Sequence, residues 1–178
     1  MSSFTAPVAR MPLFPDCPDD TRVWIHTADA PLDDETQAAF VNRLEAFVDG
    51  WTSHGHPVQG GATVLHDRFV VLAGVQADGS RPSGCAIDEA ARVVDETAKA
   101  LGVTWVPSLH VVYRTTEGTV AAVPRPTFQE RAEAGAITAE TPVFDPSVTS
   151  LGALRDGTFE QRAGASWHGR AFDLAQPA

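Results

Sequence analysis

The chain has 178 residues, 43% hydrophobic and 20% charged, which sets it among ordinary globular proteins with apolar surface enough for one substantial core. Its formal net charge is -10, and of its 13 basic residues only Lys99 is a lysine, so the clustered cations that hold a phosphate backbone are missing and nucleic acid is not an expected partner. Two distant cysteines, Cys17 and Cys85, without CxxC spacing, make no disulfide framework. Met1 to Pro15 lacks a basic start followed by a long apolar run, and no stretch approaches the roughly 18 apolar residues of a membrane span, so a soluble, cytoplasmic protein is expected.

Residues 1–20 carry four prolines and the turn Asp19-Asp20, and read as an irregular surface arm. Order is expected from Thr21, with Arg22 to Thr27 as a first strand. A helix follows, capped by Asp33 or Asp34, in which Phe40, Leu44, Phe47, Val48 and Trp51 recur at helical spacing. The Gly- and His-rich stretch His54 to Gly61 reads as a connector. Ala62 to Val75 then reads as two strands meeting in a turn at His66-Asp67-Arg68. The near-continuous apolar run Phe69 to Ala73 suits a central strand covered on both faces. A second helix is predicted from Cys85 to Leu101, with Ile87, Ala91, Val94, Ala98 and Leu101 on one face and Gly102 as its stop.

Ser108 to Arg114 and Gly118 to Val123 read as two further strands around a Thr116-Glu117-Gly118 turn. The order β-α-β-β-α-β predicts an α+β, ferredoxin-like (split βαβ) domain over residues 21–125, with two helices on one face of an antiparallel sheet. A small C-terminal subdomain, residues 126–178, is expected to pack on this core. It would hold a short helix from Thr127 to Ala134, a brief strand Pro142-Val143-Phe144 and a helical turn within Val148 to Leu154.

Chemistry is concentrated at Ser83-Gly84-Cys85-Ala86-Ile87-Asp88, where a thiol meets the start of a helix. The free N–H groups of that helix end favour a thiolate, while Asp88 and Glu89 within one turn oppose it. Cys85 is thus a candidate nucleophile, set against the plainer reading of a small buried hydrophobe or cap. His54 and His56, with His66 ten residues on, are imidazoles without a thiol or carboxylate at fixed spacing, and read as loop or helix-end residues with no metal. Gly74 to Arg81 has the Gly-x4-Gly skeleton of a phosphate loop but puts Ser80 where the lysine is needed, and Pro82 delays the helix. No cofactor is expected. Trp167 and His168, in the polar-aromatic segment Ser166 to Phe172, read as a docked tail or as a partner or ligand contact.

Arg22-Val23-Trp24-Ile25, Trp51 with His54-Gly55, Arg68-Phe69, Ser83 to Asp88, Thr141 to Phe144 and Ser166-Trp167-His168 together resemble an uncharacterised family of small bacterial proteins often labelled "ABC transporter ATPase". The similarity spans about residues 12–172. The label implies an ATPase or an accessory of one. A phosphate loop, a Leu-Ser-Gly-Gly-Gln-type signature and a carboxylate after an apolar strand are not found in the chain, so no catalytic residue is carried over. The expectation is a binding or regulatory module for a small molecule or protein, with a surface built from Ser83, Gly84, Cys85, Asp88, His54, Trp167 and His168. The rival is a thiol-dependent enzyme in which Cys85 is assisted by His54, His66 or His168.

Overall fold

A computed structural model describes residues 12–175. The first half of the chain runs β1 (Arg22–Thr27), α1 (Asp34–Gly50), β2 (Thr52–Ser53), β3 (His56–Leu65), β4 (Phe69–Gln76) and α2 (Gly84–Ala100). Asp33 caps α1 by accepting from the Thr36 N–H at 2.8 Å, and Ser83 caps α2 by accepting from the Ala86 N–H at 3.3 Å. The strands form an antiparallel sheet in the order β1-β4-β3-β2. His66 and Asp67, at φ 50° and 57°, supply the left-handed backbone of the β3–β4 turn. The stretch His56 to Gly61, expected as connector, is the first part of β3, because Gly60 and Gly61 pair with Gly74 and Ala73.

The second half runs β5 (His110–Arg114), β6 (Val120–Pro124), α3 (Arg125–Glu133), β7 (Pro142–Phe144), α4 (Leu151–Arg155), β8 (Glu160–Arg162), a 3-10 turn at Ala163–Ala165, and α5 (His168–Ala171). Its strands make a second antiparallel sheet, ordered β6-β5-β7-β8. β8 and α5 were not expected, being too short and polar to carry a periodic pattern.

Side-chain alternation explains why there are two sheets. Along β4, Val70 and Leu72 face Phe40, Leu44, Ala90 and Val94 of the helices, which share one face of the first sheet. Phe69, Val71 and Ala73 point the other way, toward Val112, Phe144, Leu154 and Phe159. The second sheet repeats the device, with Val111, Tyr113 and Val143 turned outward onto Phe128, Ala132 and Ile137. The layers are therefore helices, sheet, sheet, helices. A strand buried on both faces needs cover on both, and the second sheet supplies it.

The α+β class holds, while the expected single sheet with a small appendage is replaced by two four-stranded sheets. The order β1-β4-β3 follows three strands of a split βαβ unit. Beside β1, however, the chain after α2 makes the isolated bridges Ala28–Trp105 and Arg22–Ser150, and β5 pairs with β6 and β7 instead. The β5–β7 pairing spans the boundary expected at residue 125. Arg68, buried, joins the sheets by donating from Nε to the Ala28 carbonyl at 2.8 Å and from Nη1 to the Val120 carbonyl at 2.7 Å.

Of the expected N-terminal arm, residues 1–11 lie outside the described residues, and residues 12–20 are irregular but docked. The buried Arg155 donates to the carbonyls of Leu13, Phe14 and Cys17 at 2.6–3.0 Å and pairs with the Asp19 carboxylate at 2.6 Å. Gly61 gives way to the arm: a Cβ there would stand 2.7 Å from the Phe14 ring.

Candidate binding cleft

The structure divides the expected surface into two places. Ser83 and the His54 loop do meet, since the Ser83 N–H donates to Ser53 Oγ at 2.8 Å. The same corner is fastened by the Trp51 indole N–H, which donates to the Ala86 carbonyl at 3.1 Å. Trp51 rests on Gly74, where a Cβ would come within 2.4 Å of the ring. His54 sits exposed at the β2–β3 turn with φ 51°, and Gly84 and Asp88 are exposed. Cys85 is exposed too, contrary to the expectation of a buried hydrophobe, because α2 turns Ala86, Ala90 and Val94 to the core. Among the described residues no histidine hydrogen-bonds its thiol. Nor do His, Cys, Asp and Glu gather there in any group of three or more that could hold a metal ion.

Trp167 and His168 belong to the second place, a cleft of about 430 Å³. It forms where the chain leaves the first sheet after α2 and crosses to the second, so the crossing segment from Trp105 to His110 makes one wall. Ile25 and Thr27 of β1, Phe144 at the end of β7 with Asp145 to Ser147 after it, Arg125 at the start of α3, and Trp167-His168 complete it. Pro107 interrupts the extended run and delays β5 until His110, which leaves Leu109 71% exposed. Trp167, 37% exposed, and Leu109 are the exposed large apolar side chains among the described residues, and both line this cleft.

His168 is 1% exposed. Its Nδ1 lies 2.8 Å from Ser166 Oγ, while that hydroxyl donates to the Ala163 carbonyl at 3.1 Å and accepts from the His168 backbone N–H at 3.2 Å. A serine has one proton to give. The tautomer follows from where that proton goes: assigned to the Ala163 carbonyl, it leaves Nδ1 to carry the imidazole hydrogen and donate to Ser166, and leaves Nε2 as a bare acceptor. Nε2 is buried and has no hydrogen-bond partner among the described residues. Burial above all, with Arg125 nearby, pushes the imidazole pKa down to about 4 against the pull of Asp145, so the ring is neutral through the physiological range.

The neighbours of His168 supply an apolar wall and one unspent charge. Trp167 stacks on the imidazole at 3.8 Å and 24°. The Arg125 guanidinium lies 5.5 Å from the Trp167 ring and 5.4 Å from Phe172, with no carboxylate in ion-pair distance among the described residues. Asp145 is partly occupied, accepting on one oxygen from the Ser147 N–H at 3.0 Å and its hydroxyl at 2.5 Å. At the far wall the His26 ring packs on Trp105 at 5.2 Å, and Trp105 donates to Asp95 at 3.0 Å. His26 Nδ1 is also buried and unpartnered, and burial lowers that pKa despite Asp95.

Sequence reasoning found Trp167 and His168 but missed Trp105, Leu109, Arg125 and Asp145. These come from three segments that only the second sheet brings together, and Pro107 was the one local sign that the stretch before β5 is not strand. Compared with family models, with curated proteins and with solved structures, the chain matches none.

Proposed function

We propose that this chain is a binding module that takes a small, largely apolar molecule into the cleft between its two sheets, the molecule giving a hydrogen bond to His168. The observation that carries this is the buried, unpartnered Nε2 of a neutral histidine lining a cleft of about 430 Å³. Buried polar atoms are nearly always satisfied, and an exception at a concave, aromatic-walled site is accounted for by a ligand atom. Trp167-His168 is kept from the expected binding surface; Ser83, Gly84, Cys85, Asp88 and His54 are left out of it, since none lines the cleft. The thiol-enzyme alternative asks for a base beside Cys85, and the exposed thiol has none bonded to it. The ATPase-accessory reading has the resemblance alone behind it.

The test is a titration of 15N-labelled protein with indole, a neutral apolar probe with one N–H donor. Amide shifts are expected at residues 105–112, 144–147 and 166–168. Indole that moves no amides at millimolar concentration, or moves those around Ser83 and His54 instead, would remove the cleft from the proposal.

A further inference from the structure

The cleft carries more than an acceptor: its unspent charge is positive in a protein whose net charge is -10. Arg125 lies over the rings of Trp167 and Phe172, which position its head group, and its N–H groups have no hydrogen-bond partner among the described residues. It also opens α3, a nine-residue helix whose first turn has no side-chain cap and whose N-terminal end favours an anion. The opposing charge in the cleft is Asp145, one of whose oxygens is held by Ser147. His110, at the start of β5, and His26, on β1, are the remaining titratable side chains of the lining.

Resting on the reading of the cleft as a binding site, we infer that its ligand is a small organic acid: a carboxylate held by Arg125 at the start of α3, an apolar body against Trp105, Leu109 and Phe144, and a separate N–H or O–H given to His168 Nε2. The three parts follow from what each wall can offer. A second carboxylate in place of the donor would face a neutral lone pair near Asp145, and a cation in place of the acid would face Arg125. Trp167 touches both polar groups, stacking on His168 and carrying Arg125, so acid and donor belong to one compact molecule and not to the two ends of a long chain.

Three probes separate the parts: indole, indole-3-carboxylate and 1-methylindole-3-carboxylate, titrated calorimetrically at pH 7 into the full chain. Indole-3-carboxylate is expected to bind about tenfold tighter than indole, the size of one charge-assisted hydrogen bond. That ratio should fall toward one in Arg125→Gln and in high salt. The N-methyl probe, which keeps the acid and loses the donor, should lose about five- to tenfold against indole-3-carboxylate. Equal affinities for indole and its carboxylate, or a gain that survives Arg125→Gln, would overturn the organic-acid assignment while leaving the cleft a binding site. Indole that does not bind at all would overturn both.

Discussion

The Ser83 corner and the Trp167-His168 segment look alike in composition, each bringing together a serine, a chemically able side chain and a tryptophan, and they use their polar groups in opposite ways. At the corner, Ser83 caps α2, its N–H goes to Ser53, and the Trp51 indole goes to Ala86. What remains, Cys85 and His54, faces solvent. At the other segment Ser166 is spent on the backbone and on Nδ1, and the opposite nitrogen of the ring is buried with nothing to bind. A motif of polar residues is therefore not yet a site. What separates a fastening from a site is whether the chain itself supplies the last partner.

The sharpest way to break this comparison is through the two tryptophans. Trp51, 2% exposed and packed on Trp24 and Phe47, should cost about 3–5 kcal/mol when replaced by alanine. Trp167→Ala should cost no more than about 1 kcal/mol, since the ring is 37% exposed. Urea denaturation reads both. A loss at Trp167 equal to that at Trp51 would make the second segment a fastening as well.

Acid should destabilise the fold chiefly through the buried His168 of the cleft. The pKa of His168 in the folded chain, about 4, is below its ordinary 6.5, so between these values the unfolded chain binds a proton that the folded chain refuses. Stability should be level above about pH 6.5, decline as pH falls toward 4, and lose no more to this group below that. His26 and His66 are shifted in the same direction by burial and add to the decline. His168→Phe should flatten the curve in this window by about 2 kcal/mol, less than the whole shift because solvent reaches the cleft. A curve unchanged by that substitution would mean that His168 takes up its proton in the folded state.

Much of the fold was legible because its signals are local. Asp33 stands where a cap belongs, Phe40, Leu44 and Val48 recur at helical spacing, and the run Phe69 to Ala73 announces a strand buried on both faces. The second cover for that strand was not legible. Val112 and Phe144, which provide it, lie 32 residues apart and pair in register only when β5 turns away from β1. The same long-range pairing hid the cleft, whose Arg125 reads locally as a strand-to-helix junction and whose Leu109 reads as strand. The docked arm was missed for a related reason: nothing near Leu13 or Cys17 reveals that Arg155 will gather their carbonyls.

Two serine substitutions sharpen the comparison with a smaller effect. Ser83→Ala removes a helix cap and should cost about 1 kcal/mol, with indole affinity unchanged. Ser166→Ala should cost a similar amount by leaving the Nδ1 hydrogen without an acceptor, and it should also weaken indole several-fold, because the tautomer and tilt of His168 are no longer fixed. Thermal unfolding and the indole titration, run on both variants, give the four values. If both serines affect stability alone, His168 is held by the Trp167 stack and Ser166 has no part in presenting Nε2.

The smallest expected effect belongs to the residue that the sequence marked most strongly. Cys85 is exposed on the solvent side of α2, and its modification should alter neither the packed face nor the cleft. Iodoacetamide at pH 8 is expected to place one group on the native protein, at Cys85, and a second only after unfolding, because Cys17 is buried with its thiol pKa raised by desolvation against the pull of Arg155. Peptide mapping assigns the two sites. The singly modified protein should unfold within about 0.5 kcal/mol of the free thiol form and bind indole equally well. Alkylation that abolished indole binding would place Cys85 at the ligand and join the two regions into one site. Alkylation at pH 6 that was fast in wild type and slow in His54→Gln would give the thiol a histidine base and restore the enzyme reading.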